Sequence, residues 1–348
     1  MFDENKRLFV ADPPIWNLAG TGNPIYSICY NNYGNQVALS TLPGELSIYS
    51  IYDGAPLINL QQNYTTYQIT NCHFHPVEEN LLLATSKDGF IFLFDVFTGE
   101  IVNFSRHLGS NLLVMSIDPY GETFAIGCAD GSIRMYDIEN LQRTKTLVKI
   151  SGRSNTNSTS LIYNLLYYPD DPNVLISTSG LDKILFWDLR TGNSERSIAG
   201  VHIHGQGSID VYQSNIISAS FRDAKQLEIY DFGTCKKIRE INYENSNYSI
   251  SASSSIENFN LSSSESFISK PANLNCVSIA KNGLSFVAGG AVTNQCQAFN
   301  FSNFESIGFT KPLNSSVTAV AMSPFSSSFV CGTENGNVQC YAIRVMNE

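Results

Sequence analysis

The stretch Asp88-Gly89-Phe90-Ile91-Phe92-Leu93-Phe94-Asp95 is one copy of a motif that recurs along this chain of 348 residues. The motif, called here the recurring phrase, consists of two turn-forming residues, an apolar run, an aromatic residue and a polar or small residue. Two close copies are Asp130-Gly131-Ser132-Ile133-Arg134-Met135-Tyr136-Asp137 and Asp182-Lys183-Ile184-Leu185-Phe186-Trp187-Asp188. Weaker copies end at Ser50, Asp231, Asn300 and Ala342.

The seven copies are separated by steps of 45, 42, 51, 43, 69 and 42 residues. A period in the low forties is the length of a four-stranded propeller blade, and the two longer steps indicate insertions. Asp-Gly between two apolar runs predicts a hairpin, here with a type I′ turn whose two central residues have positive φ. The runs themselves are β-branched and aromatic, and no long helical period occurs. The predicted fold class is all-β, a seven-bladed β-propeller.

The residues Phe186-Trp187-Asp188, with Phe94-Asp95, Tyr136-Asp137 and Tyr230-Asp231 as relaxed copies, resemble the WD40-repeat family over roughly residues 25 to 345. This resemblance implies a platform for protein interactions. It also implies that certain residues are structural, because the family places an Asp in the turn between second and third strands, in a network with Ser or Thr, His and Trp. The residues assigned to this structural role are Asp88, Asp130, Asp182, Trp187 and His107.

The repeats predict one domain over residues 1–348. They cover approximately 25–60, 69–105, 112–148, 161–198, 207–243, 274–309 and 316–348, with insertions at 149–160 and, rich in serine, at 244–271. Both insertions are expected on one rim of the ring. The last repeat offers no outer strand, whereas two apolar segments, at 7–10 and 15–18, precede the first repeat. We expect one of them to complete the seventh blade and close the ring.

The composition argues against several classes of partner and chemistry. A net charge of −10 disfavours nucleic acid and anionic membranes, and the absence of a long apolar run or secretion signal predicts an intracellular, cytoplasmic protein. The eight cysteines lack the spacing of a zinc site and read as reduced core thiols, so no metal and no cofactor is expected. His73 and His75, like His202 and His204, could share a metal, but the absence of further ligands favours structural roles.

The function predicted is a non-enzymatic scaffold or adaptor within a multiprotein assembly, because no motif for catalysis is present. The fifth repeat, from His202 to Tyr243, faintly resembles WD proteins of ciliated and flagellated organisms and favours a cytoskeletal or axonemal complex, with a nuclear setting left open. The alternative is a reader of peptides or modified tails in the central channel, of the chromatin or ubiquitin-ligase type. An enzyme would need a cluster of perturbed titratable groups in one pocket.

Two surfaces are candidates for binding a partner. The first is the face that carries the turns between second and third strands, where basic side chains would grip an extended or acidic segment. The second is the insertion at 244–271, where apolar residues stand isolated among serines. The candidate residues are Lys87, Lys183, Arg222 and Lys225 on the turns, and Phe259, Leu261, Phe267 and Ile268 in the insertion.

Overall fold

The computed structural model describes residues 8–20, 22–60, 63–148, 161–180, 182–203, 205–243 and 273–345. Within these ranges the chain forms 29 strands and no helix. Hydrogen bonds group the strands into seven antiparallel sheets, each of which is one blade. The predicted all-β fold with seven blades is therefore confirmed. We number the blades one to seven in chain order.

In blades one to three, each strand pairs with the next along the chain. Blade one consists of β3 (Ile25–Tyr30), β4 (Gln36–Thr41), β5 (Leu46–Ser50) and β6 (Pro56–Asn59). Blade two consists of β7 (Ile69–Phe74), β8 (Leu81–Ser86), β9 (Phe90–Asp95) and β10 (Ile101–Arg106). Blade three consists of β11 (Leu112–Ile117), β12 (Thr123–Cys128), β13 (Ser132–Asp137) and β14 (Arg143–Val148).

Blades four to six follow the same plan. Blade four consists of β15 (Ile162–Tyr168), β16 (Asp171–Ser179), β17 (Lys183–Asp188) and β18 (Asn193–Ala199). Blade five consists of β19 (Ile209–Tyr212), β20 (Asn215–Ala219), β21 (Leu227–Asp231) and β22 (Lys237–Ile241). Blade six consists of β23 (Asn273–Ile279), β24 (Ser285–Ala291), β25 (Cys296–Asn300) and β26 (Ser306–Phe309).

Blade seven joins the two ends of the described chain. It contains β27 (Val317–Met322), β28 (Ser328–Thr333) and β29 (Val338–Val345), with β1 (Leu8–Val10) and β2 (Trp16–Leu18) along its outer edge. The sequence predicted that one amino-terminal segment would pair here, but both do. Phe9 lies opposite Arg344, and Asn17 lies opposite Gln339. Two short strands therefore share the outer edge of one long strand, which removes an exposed edge.

The ring is visible in the contacts of the innermost strands. The first strand of each blade contacts the first strand of the next, from β3 through β7, β11, β15, β19, β23 and β27, and β27 returns to β3. Apolar side chains fill the space between blades, as where Leu46 and Ile48 of blade one join the same buried cluster as Phe92 and Phe94 of blade two. Burying apolar surface of this kind is the main stabilising contribution to folding.

The Asp-Gly hairpins form, but their turn type differs from the prediction. Gly89 and Gly131 have φ of 98° and 81°, whereas Asp88 and Asp130 are not among the residues with positive φ. The amide of Gly89 donates to Ser86 O at 3.1 Å. This geometry is a type I turn followed by a left-handed glycine, in which only one residue needs positive φ.

Backbone hydrogen bonds define two faces of the ring. In the first three blades, the turn between strands one and two bonds to the turn between strands three and four: Ile51 N to Asn35 O, Val96 N to Asn80 O, and Ile138 N to Glu122 O. We call this end of the blades the lower face. The upper face carries the turns between strands two and three and the connections between blades.

Candidate protein interaction site

The lower face of blades seven, one, two and three exposes large apolar side chains at equivalent turns. Four of them follow the first strand of their blade, and two stand between the third and fourth strands. Their exposed fractions run from 54% for Tyr33 to 75% for Tyr52. We call this set the aromatic arc; it consists of Phe325, Tyr33, Tyr52, Val77, Phe97 and Tyr120.

Acidic side chains accompany the arc. They are exposed, and the same turns of these four blades (31–36, 51–55, 76–80, 96–100, 118–122, 138–142 and 323–327) contain no Lys or Arg. The side chains in question are Asp53, Glu78, Glu79, Glu100, Glu122 and Glu139.

The turns that carry the arc are fixed to one another. His75 is buried; its Nδ1 accepts hydrogen bonds from the amides of Val77 and Glu78, and its Nε2 donates to Gly121 O at 2.9 Å. Gly121 has a φ of 78°, and a Cβ at this position would lie 2.2 Å from the His75 ring, so glycine is required. The turns of blades two and three therefore form one rigid unit.

The same turns continue to blades one and seven. Asn32 Nδ2 of blade one donates to the carbonyls of His75 and Pro76 at 3.0 and 2.8 Å. The Tyr33 hydroxyl donates to Glu79. A Cβ built at Gly34 would lie 3.5 Å from the Phe325 ring, which places blade seven against blade one. The arc is therefore continuous over four blades.

The lower face of the other three blades is different. At the turn equivalent to Tyr33 and Tyr120, blade four has Asp170, blade five has Gln213 and blade six has Asn282. The lower face is thus divided into an aromatic half and a polar half.

The central channel has a volume of about 840 Å³ and is lined by the innermost strands. His73 lies in the wall of the channel. Burial lowers the pKa of this imidazole to about 4, although a hydrogen bond with the backbone of Met115 acts in the opposite direction and raises it. Burial raises the pKa of Asp210 to about 6, although its oxygens accept the amides of Ile279 and Val211 at 2.7 and 2.8 Å.

Side chains span both ends of the channel. Gln206 Nε2 of blade five donates to Leu113 O of blade three at 2.7 Å. Lys281 Nζ of blade six donates to Asn32 Oδ1 of blade one at 2.8 Å, and burial lowers the pKa of this lysine. The two bridges narrow the space that a peptide reader in the channel would use.

The basic residues predicted to grip a partner lie on the upper face, but two of them are already paired. Arg222 donates to Glu228 Oε1 at 2.9 Å, and Lys225 bonds to Glu240. Lys87 and Lys183 make no ion pair within 4.0 Å among the described residues. The structure therefore does not bring the four together as one available basic patch.

Arg222 is held by Glu228, a buried carboxylate that the sequence did not single out. It also accepts from Lys237 Nζ at 2.6 Å and from the Tyr230 hydroxyl at 2.8 Å. Burying a carboxylate is unfavourable unless it is paired and hydrogen-bonded, so Arg222 serves this acid. An acid at the centre of a buried strand was the available signal.

The insertion residues Phe259, Leu261, Phe267 and Ile268 lie outside the described residues, as do the insertion at 149–160 and His204. The flanking strands show where the insertions leave the ring. β14 and β22 end, and β15 and β23 begin, at the upper face. The described chain therefore leaves and re-enters the blades on either side of both insertions at the face opposite the arc.

Comparison with known proteins supports the repeat. A family model described as WD domain, G-beta repeat matches residues 99–137, from the outer strand of blade two to the third strand of blade three. This match identifies one WD40 repeat within a ring of seven blades. The described chain has the architecture of a WD40 propeller.

Curated relatives match parts of this WD40 propeller. The U3 small nucleolar RNA-associated protein 4 homolog of Mus musculus is 25% identical over 183 residues, 50% of this chain and 24% of that protein. Its Homo sapiens counterpart is 25% identical over 178 residues, 49% of this chain and 23% of that protein. The GATOR2 complex protein WDR24 of Danio rerio is 34% identical over 121 residues, 34% of this chain and 14% of that protein. The matches thus span about a quarter or less of these relatives.

The WD40 aspartates build their networks unevenly. Asp88 accepts from Ser86 Oγ at 2.7 Å and from Thr65 Oγ1 at 2.9 Å, so blade two links its turn to the preceding connection. Asp130 instead accepts from Ser132 and from Arg134 Nη2, the latter at 2.9 Å.

Blade four carries both the Trp and the Asp of the family network, but it builds only part of that network. Trp187 is buried and its indole donates to Ser177 Oγ at 2.8 Å. Asp182 Oδ2 lies 3.7 Å from His202 Nδ1, and its Oδ1 is buried with no hydrogen-bond partner among the described residues. The hydrogen bond from the Trp187 indole to Ser177 therefore forms, although one carboxylate oxygen of Asp182 has no hydrogen-bond partner among the described residues.

His107 occupies the connection into blade three. Its ring packs edge-on against Tyr136, with centroids 4.8 Å apart, and its Nε2 contacts Ser105 Oγ at 3.0 Å. Burial lowers the pKa of His107. These contacts are those of a packing residue.

All eight cysteines are unpaired thiols. Seven are buried, and Cys29 and Cys72, on the first strands of neighbouring blades, place their sulfurs 3.8 Å apart. No pattern in the sequence indicated that these two sulfurs approach each other, because their distance depends on the register between blades. Among the described residues, no group of three or more His, Cys, Asp or Glu side chains could hold a metal ion, and no helix is long and apolar enough to cross a membrane.

Proposed function

We propose that this WD40 propeller is a non-enzymatic scaffold or adaptor in a multiprotein assembly, and that the aromatic arc is a docking surface. The observation that carries the proposal is the exposure of six large apolar side chains on fixed turns of four consecutive blades. Single exposed apolar residues are ordinary, whereas a contiguous group on one face marks an interaction site.

The names of the relatives support membership of an assembly. Two of the three relatives are named as associated with a small nucleolar RNA, and the third as a protein of the GATOR2 complex. Neither name is cytoskeletal, so the expectation of a cytoskeletal or axonemal complex gains no support from them. An intracellular setting and protein partners are part of the proposal; the expectation that nucleic acid is not a partner stays a prediction from the net charge.

Lys87 and Lys183 on the upper face stay candidates for a second contact. Arg222 and Lys225 are less suited to this role, because each already forms an ion pair with an acid of blade five, Glu228 or Glu240. A peptide reader in the channel is the second candidate function, favoured by the channel volume but opposed by the Gln206 and Lys281 bridges.

The test compares two triple variants expressed in native cells. One removes arc side chains by Phe97→Ala, Tyr120→Ala and Phe325→Ala. Its matched control removes exposed apolar side chains elsewhere by Leu57→Ala, Leu108→Ala and Ile238→Ala. We expect the unchanged chain and the control to sediment in a larger assembly and the arc variant to sediment alone. Sedimentation of the unchanged chain alone, or of the arc variant with the assembly, would contradict the proposal.

A further inference from the structure

We infer that the aromatic arc binds a basic segment of a partner protein, in which arginine or lysine side chains alternate with apolar ones. This inference rests on the proposed function and names the chemistry of its partner. Two independent features of the lower face carry it: the acids that accompany the arc, and the absence of basic side chains from the same turns.

Three of the acids beside the arc differ from the aspartates that shape its turns. The aspartates that shape these turns use their oxygens internally: Asp95 accepts the amides of Phe97 and Thr98, and Asp118 accepts those of Tyr120 and Gly121. Glu78, Glu122 and Glu139 are exposed instead, and no side-chain ion pair to them is formed within 4.0 Å among the described residues.

The arrangement of rings and acids suits a guanidinium or ammonium group. A cation gains from the face of an aromatic ring, and it gains again when a carboxylate stands beside that ring. Phe97 and Glu100 belong to one turn of the chain, and Tyr120 and Glu122 belong to another. The fold already uses such packing on its rim, where the Arg196 guanidinium lies 4.6 Å from the centre of the Phe232 ring.

Charge decides against two other occupants. A nucleic acid would bring phosphates to a surface lined by carboxylates, which is unfavourable. A second copy of the chain would bring the same acids to face their equivalents in a two-fold interface, since such an interface uses the same patch on both copies. A basic segment meets neither difficulty.

The probe is a fluorescent peptide of about twelve residues that alternates arginine with leucine, long enough when extended to cross more than one blade. A matched peptide carries glutamate in place of arginine. Binding to the purified full chain is measured by fluorescence anisotropy at about 50 mM and about 300 mM salt, because screening weakens exposed charge interactions. We expect the arginine peptide to bind with an affinity that falls with salt, and the glutamate peptide not to bind.

Two charge variants locate the site. The arc variant carries Glu78→Gln, Glu122→Gln and Glu139→Gln. The control carries Glu195→Gln, Asp223→Asn and Glu334→Gln, which remove the same three charges from exposed positions outside the arc. We expect the arc variant to weaken binding about tenfold and the control less than about twofold, because complementary charge acts mainly at close range. Thermal melting of each variant checks that the fold is kept.

Equal weakening by both variants would mean a general attraction to a chain of net charge −10, and would overturn the inference. Self-association of the purified chain that is lost with the aromatic triple variant would assign the arc to a second copy, and would also overturn it. Suppose that the glutamate-to-glutamine variant of the arc binds the arginine peptide as tightly as the unchanged chain does, while the aromatic triple variant still sediments alone. The inference of a basic partner would then be wrong, and the proposal that the arc is a docking surface would be kept. If the aromatic variant stays in the assembly, the proposed function itself fails.

Discussion

Several charged side chains on the upper face of this ring are bound to other parts of the fold, whereas several acidic side chains on the lower face are exposed. On the upper face, Arg222 and Lys225 are held by Glu228 and Glu240, and Asp88 is held by Ser86 and Thr65. On the lower face, the backbone and a few buried groups such as His75 fix the turns. The aromatic and acidic side chains at the tips of those turns are left exposed.

The difference teaches that a conspicuous charge is not the same as an available one. A basic residue beside a buried acid is part of the fold, because its removal would leave a carboxylate without its partner. An exposed ring on a turn fixed by other residues is not needed for the fold. The lower face therefore separates the residues that build the site from the residues that would contact a partner.

Opening the ring should have the largest effect, because both faces depend on closure. Removing residues 1–18 takes away β1 and β2, together with the bond from the Trp16 indole to Ile51 O at 2.7 Å. We expect loss of a single cooperative thermal transition and loss of peptide binding at the arc. Removing residues 1–7, outside the described strands, is the control and should change neither. A full-length melting curve for the larger deletion would show that the amino-terminal strands do not close the ring.

The second test contrasts a buried aromatic with an exposed one. Trp187→Ala should lower the free energy of unfolding by about 3–5 kcal/mol, because it removes a large buried side chain and leaves a cavity. Phe97→Ala should change it by less than about 0.5 kcal/mol, because the side chain is exposed. Denaturant unfolding measures both. If Phe97→Ala proved as costly as Trp187→Ala, the arc would be part of the fold and not a docking surface.

The fold was predicted well from the sequence because each blade contains the same local sequence signals. Asp-Gly at the hairpins and the aromatic residue near the end of the third strand recur in chemistry and spacing. The network of blade four was predicted less well, because whether Asp182 meets His202 depends on how two blades approach each other and not on residue type.

The arc was missed for a related reason. Tyr33, Val77, Tyr120 and Phe325 stand outside the recurring phrase, at the turn after each first strand, and only the ring brings them to one face. A signal was available: two of these turns read Asp-Pro-Tyr-Gly and Ser-Pro-Phe-Ser, and comparison of this one position across all repeats would have found the aromatics. The basic residues were chosen by charge alone, which does not reveal that Arg222 lies beside the buried Glu228 and Lys225 beside Glu240.

The channel between the two faces should give a pH dependence. The folded pKa of His73 is about 4, below the ordinary 6.5, so between these values the unfolded chain binds a proton that the folded chain does not. Stability from His73 is therefore present above about pH 6.5 and lost as the pH falls toward 4, by roughly 1–2 kcal/mol at about pH 5. His73→Gln should flatten this loss in denaturant unfolding at two pH values.

Asp210 provides the opposing control. Its folded pKa is raised to about 6, so stability from this group is highest at low pH and is lost as the pH rises toward 6. Asp210→Asn should therefore steepen the fall in stability on acidification, opposite to the His73 variant. Equal slopes in both variants would place the pH response elsewhere in the ring.

The smallest effect on folding is expected from the insertion at 244–271, and it tests whether the two faces act independently. Its replacement by a Gly/Ser linker of about seven residues should change stability by only about 1 kcal/mol, because the cost of closing a loop varies slowly with its length. Peptide affinity at the arc should stay within about twofold, since β22 ends and β23 begins at the upper face, away from the arc. If Phe259, Leu261, Phe267 and Ile268 dock on a partner, the replaced chain should be recovered less well with its native assembly while its peptide affinity is kept. A fall in peptide affinity would mean that the faces are coupled, and loss of the folded state would mean that the insertion belongs to the core of the blades.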